Sequence, residues 1–130
     1  MRRSRALIVV FIGAAALVLF AVIFHPARGP DPNAAVTTKM HLLQISFASQ
    51  SYHTAYGLWP TGYAQFYPEH NLNHIAFLPS GQWITNDAWG HPLLYSPFDS
   101  ALGYGAVLSL GRNGKRGGAG ADSDLEERFQ

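Results

Sequence analysis

The sequence predicts an α+β chain, a long helix packed on a small antiparallel β-sheet, and three observations carry that prediction. Apolar residues recur at three- and four-residue steps between a proline-rich break and Gly57. In the last third, short apolar or aromatic runs alternate with turn residues. Finally, glycines at 111, 114, 117, 118 and 120 punctuate Ser109 to Asp124, SLGRNGKRGGAGADSD. That segment has few side chains to pack, and its glycines let the backbone fold closely on itself.

Taken in order, Ala6 to Phe24 is an unbroken apolar run without charge. At helical rise it reaches about 28 Å, near the roughly 30 Å hydrocarbon core of a bilayer. Arg2, Arg3 and Arg5 precede it and hold that end in the cytoplasm by the positive-inside rule. Residues 1–24 are therefore expected to be a transmembrane anchor in the cytoplasmic (inner) membrane. The rest of the chain then lies on the periplasmic or extracytoplasmic side. A cleaved signal peptide is the competing reading, but Ile23-Phe24-His25-Pro26-Ala27 offers no small-x-small cleavage site. Residues 25–33, with Pro26, Gly29, Pro30 and Pro32, form a linker, and 34–130 a single globular domain.

The domain opens on a helix capped by Asn33, running through Tyr56 and stopped by Gly57. Val36, Met40, Leu43 and Phe47 make its apolar stripe, widened by Leu42, Ile45, Ala48 and Tyr52. The stripe packs on the domain's own sheet or on neighbouring helices in an assembly, and the pattern alone leaves both open. From Gly57 to Gln82 periodicity disappears. Trp59, Tyr63, Phe66, Tyr67 and Phe77 are expected to pin this long connection down. His70 and His74 stand four apart, but Pro68, Asn71 and Asn73 argue against a helix, and no third metal ligand is evident. Strands are expected at Gln82–Ile84, Pro92–Ser96 and Tyr104–Leu110, with turns at Asp87–Gly90 and Pro97–Ser100. Glu126-Glu127-Arg128 reads as a solvated tail.

Composition removes several function classes. There is no cysteine, hence no disulfide framework and no thiolate site. A net charge of +1 with scattered basic residues gives no case for nucleic acid. No Gly-x-Ser-x-Gly elbow, nucleophile–base pairing or catalytic carboxylate pair is present, so the chain reads as no enzyme and no small-molecule substrate is expected. Gly111-Arg112-Asn113-Gly114-Lys115-Arg116 is not a phosphate-binding loop, because Ser109 and Arg116 stand where glycine and Ser or Thr belong. Asn113, Asp122 and Asp124 instead offer oxygen ligands with no thiol or imidazole between them, a donor type that suits Ca²⁺. Arg112, Lys115 and Arg116 oppose a divalent cation unless they splay outward. A plain solvated loop remains the alternative.

Three segments, in order, resemble the type II secretion system protein G (major pseudopilin) family. Tyr52-His53-Thr54-Ala55-Tyr56-Gly57-Leu58-Trp59-Pro60-Thr61 is similar to its helix exit, a tyrosine followed by a Gly-x-Tyr-Pro-Thr turn. Asp87-Ala88-Trp89-Gly90-His91-Pro92-Leu93-Leu94-Tyr95 resembles its Asp-Pro-Trp-Gly-Asn-Pro-x-x-Tyr signature, with Ala88 and His91 replacing Pro and Asn. Ser109 to Asp124 resembles its Ser-Leu-Gly-x-Asp-Gly loop ending in Asp-x-Asp, with Asn113 in place of the first acid. The resemblance implies a pilin-like fold and a structural role in a pseudopilus for protein secretion. It also implies a calcium site in which Asp122 and Asp124 are the carboxylates, Asn113 a weakened ligand and Leu110 a backbone carbonyl. Implied partners are other copies, other pseudopilins and secretion-system components, with the membrane held through residues 6–24.

The N-terminus departs from the family pattern. Arg5-Ala6-Leu7-Ile8-Val9 stands where a prepilin peptidase site belongs, and the apolar run lacks the family's glutamate. The reading is therefore a structural subunit of, or accessory to, a type II secretion or type IV pilus-like system. The alternative is a membrane-tethered binding module that does not polymerise and presents Trp59, Tyr63, Phe66 and Tyr67 to a partner. Buried aromatics favour the first and exposed ones the second.

Overall fold

A computed structural model describes residues 31–78 and 84–130. The apolar run 6–24, most of the linker and most of the expected strand at Gln82–Ile84 lie outside them. Ile84, which is described, belongs to no strand. Among the described residues no helix is long and apolar enough to cross a membrane.

The helix α1 spans Ala34–Tyr56. Asn33 occupies the position before it, yet its side chain makes no capping bond. Asp31 does that work instead: its Oδ1 accepts from Asn33 N at 2.9 Å, and its carbonyl from Ala34 N at 3.1 Å. At the far end Gly57 takes φ 69°, where a Cβ is disfavoured, and its N–H closes on His53 O at 2.7 Å.

The helix buries one side of the wide stripe expected of it and leaves the other side outward. Leu42, Ile45 and Ala48 face the core together with Ala34 and the small polar residues Thr38, Ser46 and Ser49. Val36, Met40 and Phe47 are 64%, 56% and 67% exposed. At 100° per residue they lie nearly opposite the buried face. The helix thus carries two apolar faces, and the inner one sets the small Thr38, Ser46, Ala48 and Ser49 around Leu42 and Ile45 where α1 lies across β3 and β2.

The sheet is a three-stranded antiparallel meander, β1 (Leu94–Asp99), β2 (Tyr104–Ser109) and β3 (Leu125–Phe129), in the order β1-β2-β3. Tyr95 pairs with Val107, and Val107 with Glu127. The register slips between Ser96 and Asp99, at Pro97, which has no N–H to give the ladder. β1 continues through the Pro97–Asp99 segment expected to turn, and the reversal comes later. There Asp99 Oδ1 accepts from Ala101 N at 2.8 Å and Asp99 O from Gly103 N at 2.8 Å. Pro92 forms only an isolated bridge, to Asn86.

Glu126-Glu127-Arg128 is not a tail but the middle of β3. Glu126 and Arg128 are exposed on one side of the strand, where the Arg128 guanidinium pairs with Glu126 and covers the Tyr104 ring at 4.3 Å, while Glu127 alternates to the other side and is half-buried. Phe129 is fully buried and pairs with Gly105, whose missing side chain makes room for its ring.

The connection between α1 and the sheet is held as its aromatic content suggests. Phe66 and Tyr67 are buried with Leu78, Ile84, Leu93 and Val107 against Leu42 and Ile45. Trp59 stacks between His53 and Phe98, with ring centroids at 4.0 and 4.7 Å. Tyr63 Oη donates to Leu93 O at 3.0 Å, and Tyr95 Oη to Pro60 O at 3.1 Å. Burial pushes the Tyr95 phenol up to about 12 and that of Tyr63 further still, so both remain proton donors at neutral pH. Asn71 ties the two short 3₁₀ turns together, donating to Tyr67 O at 3.0 Å and Ile75 O at 2.7 Å and accepting from Tyr56 Oη at 3.0 Å.

Removing the Phe129 ring tests whether β3 is structural. Phe129→Ala is expected to cost about 3–5 kcal/mol, as for other buried aromatic truncations. Urea denaturation of the full chain measures it. A change within about 0.5 kcal/mol, the range of ordinary surface substitutions, would return residues 125–130 to the status of a tail.

Candidate functional site

The glycine loop leaves the end of β2 and returns as β3, and a turn on the neighbouring connection supports it. That turn, Asp87–Gly90, forms where expected: Gly90 N donates to Asp87 O at 3.1 Å with Gly90 at φ 89°. Its centre is the buried Asp87 carboxylate. Oδ1 accepts from Trp89 N at 3.0 Å and His91 N at 2.9 Å, and Oδ2 from the Ser109 hydroxyl at 2.7 Å. Ser109 Oγ in turn accepts from Gly111 N at 3.1 Å. Next to Asp87, Ala88 N donates to Thr38 Oγ1 of α1 at 3.0 Å. One side chain therefore joins the turn, the last residue of β2 and the first bend of the loop.

Within the loop, two glycines allow the chain to close on itself. A Cβ on Gly111 would stand 2.6 Å from Ser123 O, and one on Gly118 2.6 Å from Asp122 O. Both have positive φ, 73° and 102°. The 122–123 backbone is thereby held between them, and Asp122 projects from a constrained position.

The structure places each expected ligand as follows. Leu110 is the first residue beyond β2, half-buried at the loop's mouth. Asn113 Oδ1 accepts from Lys115 N at 2.9 Å, a local turn across Gly114. Asp124 Oδ1 accepts from Gly117 N at 3.1 Å. Asp122 gives both oxygens to Arg112: Nε reaches Oδ1 at 2.9 Å and Nη2 reaches Oδ2 at 3.0 Å. Hydrogen bonding to that guanidinium holds the Asp122 carboxyl below its usual range and raises Arg112 in turn. Arg112 N donates to Ala121 O at 2.8 Å, and His91 Nε2 lies 2.9 Å from Arg112 O.

Ca²⁺ takes six to eight oxygens. Here the side-chain oxygens are turned to different donors, and one carboxylate is bound in fork geometry by an arginine. Among the described residues no three His, Cys, Asp or Glu converge as a metal cluster. As arranged, the donor set does not fit Ca²⁺. Two residues were missed as parts of the site. Arg112 reads from sequence as a charge that must splay away, and His91 as a turn residue. The available signal was an arginine and an aspartate ten positions apart, bridging a segment rich in glycine and alanine.

Elsewhere, His74 Nδ1 lies 2.9 Å from Pro68 O, and His70 lines a shallow recess of about 580 Å³ with Tyr52, Gln65 and Asn71. The aromatics proposed for partner binding face inward: Phe66 and Tyr67 are buried, Trp59 and Tyr63 half-buried.

The Asp87 network makes a stability prediction. Asp87→Ala strands a buried hydroxyl and two turn N–H groups, and is expected to cost about 2–3 kcal/mol, the scale of hydrogen bonds to a charged acceptor. Ser109→Ala should cost about 1 kcal/mol. The double variant should fall short of the sum, since the two share one bond. Chemical denaturation checks all three, and strict additivity would mean that the bond carries no coupling.

A family model described as type II secretion system (T2SS), protein G matches residues 30–128. No curated protein and no solved structure matches the chain. A helix on a three-stranded antiparallel meander, a glycine loop between β2 and β3 and a family match over nearly the whole described region lead to one conclusion: the chain belongs to the type II secretion system protein G family.

Proposed function

We propose that the protein is a structural, pseudopilin-like subunit of, or accessory to, a type II secretion or type IV pilus-like machine, acting through protein contacts. Residues 6–24 anchor it in the cytoplasmic (inner) membrane, and residues 34–130 stand on the periplasmic or extracytoplasmic side. The observation that carries this reading is the outward face of α1. Val36, Met40, Leu43 and Phe47 follow one another at steps of four, three and four, the spacing of a helix–helix seam. Three of the four are well exposed along the outer side of α1. Burying such a row against helices of other copies or other pseudopilins removes apolar surface from water at no cost to the domain's own core, which uses Leu42, Ile45 and Ala48.

The tethered-module alternative relied on exposed aromatics, and their inward packing supports the structural reading instead. The Ca²⁺ implied by family resemblance at Leu110, Asn113, Asp122 and Asp124 is not required by this role. It competes with Arg112 for the same carboxylate.

Because the chain has no cysteine, single cysteines test the seam directly. In the full chain, expressed in membranes with its secretion machinery, Met40→Cys and Phe47→Cys are expected to cross-link to neighbouring subunits. Leu102→Cys, exposed on the β1–β2 turn, should not. Phe47→Lys should abolish seam cross-linking from position 40 while changing domain stability by less than about 0.5 kcal/mol. Equal cross-linking at 40, 47 and 102, or an indifferent Phe47→Lys, would remove the helix face from the proposal.

A further inference from the structure

The loop between β2 and β3 contains its own cation. We propose that the Arg112 guanidinium occupies the place a divalent metal ion would otherwise take, so that residues 109–124 are closed by an internal ion pair and do not respond to calcium.

Arg112 is fixed at all three of its polar ends. Its N–H donates across the loop to Ala121 O, its carbonyl meets His91 Nε2, and its guanidinium grips both oxygens of Asp122. The first and last of these are adjacent rungs, 112 to 121 through the backbone and 112 to 122 through side chains. They draw the outgoing and returning limbs together at one level. Asp122 is aimed by its own backbone, held between Gly111 and Gly118. Planar guanidinium and carboxylate therefore meet in two parallel N–H···O bonds, the geometry that gives such pairs their specificity.

The rest of the loop is arranged around this pair. Asn113, where the family pattern has an acid, spends its oxygen on the Lys115 N–H. Asp124 spends one oxygen on the Gly117 N–H. Three cationic side chains stand against two carboxylates between 109 and 124, so a divalent ion would add charge to a segment already net positive. Ca²⁺ binding would first have to displace Arg112 from Asp122 and turn Asn113 out of its turn. The two side chains of the pair are 55% and 30% exposed, so the closure is screened by salt.

Local proteolysis tests this in the full chain in detergent. Lys39 and Lys115 are the only lysines, so lysyl endopeptidase can cut just twice, once in α1 and once in the loop. Where opening is fast, cleavage tracks the open population. The Lys115 rate is expected to be the same in excess CaCl₂ and in chelator, and to rise with NaCl. Arg112→Gln should raise it by about 2- to 5-fold, the range for an exposed ion pair, and remove the salt dependence. Arg112→Gln combined with Asn113→Asp, which frees one carboxylate and restores another, should acquire protection by Ca²⁺. Slowing of the wild-type Lys115 cut tenfold or more by Ca²⁺ would overturn the proposal, as would an unchanged rate in Arg112→Gln. If Lys39 and Lys115 cleavage rise together in the variant, unfolding is global, and the wild-type calcium and salt arms decide alone. None of these outcomes bears on the helix seam, which is tested separately.

Discussion

The fold turns on one buried carboxylate. Asp87 sits where the turn before β1, the end of β2 and the start of the glycine loop meet, and its oxygens take three hydrogen bonds there. Burying a carboxylate costs a great deal unless both of its oxygens find donors. The donors in turn are groups that would themselves be stranded without it. This reciprocity makes the junction specific. The Ser109 hydroxyl cannot serve Asp87 and Gly111 together unless β2 ends at this residue and the chain bends at the next. Through Ala88 N and Thr38 Oγ1, the same corner sets where α1 lies on the sheet.

From that corner outwards, α1 has to satisfy two demands at once. Its inner face must approach β2 and β3 closely, which favours Ala48, Ser46, Ser49 and Thr38 between the larger Leu42 and Ile45. Ser49 returns its hydroxyl to Ile45 O at 2.9 Å, and Ser46 reaches Arg128 O at 3.2 Å, so neither polar group is stranded by the tight fit. Val36, Met40 and Phe47 are left for the outside. A helix with apolar side chains on its solvent side as well as its inner side is stable in the domain and incomplete as a surface, which is what the proposed assembly role requires.

That division explains what the sequence could and could not reveal. The limits of α1, the turn at Asp87–Gly90, strand β2 and the loop after it were legible because each rests on local rules: periodicity, a left-handed glycine stop, alternation and turn residues. Which side of α1's wide stripe turns inward was not, because Leu42, Ile45 and Ala48 read as apolar in the same way as Val36, Met40 and Phe47, and the sheet's proximity that selects the first set is a tertiary fact. β3 was hidden by Glu126-Glu127-Arg128. With Glu127 on the same side as Leu125 and Phe129, the apolar alternation is broken, and only pairing with β2 makes the segment a strand. The role of Asp31 in place of Asn33 turns on backbone angles that residue preferences do not report. The candidate site was legible as a loop and as a set of oxygens, but not as a set of partners.

The partners matter because three features of this loop belong together. Arg112 brings its own charge to Asp122, Asn113 supplies a turn where an acid would supply a ligand, and His91 reaches the Arg112 carbonyl while its ring fills the space against Gly114. Each alone weakens a metal site; together they make a different closure. A metal ion gathers many oxygens about a point and leaves the loop dependent on its concentration. An arginine gathers two oxygens in a plane, so the rest of the loop must be closed by backbone and side-chain bonds such as Arg112 N to Ala121 O and Gly117 N to Asp124. On the closure proposed here, its strength follows ionic strength rather than metal supply. Such a closure makes the order of the loop a property of the chain itself.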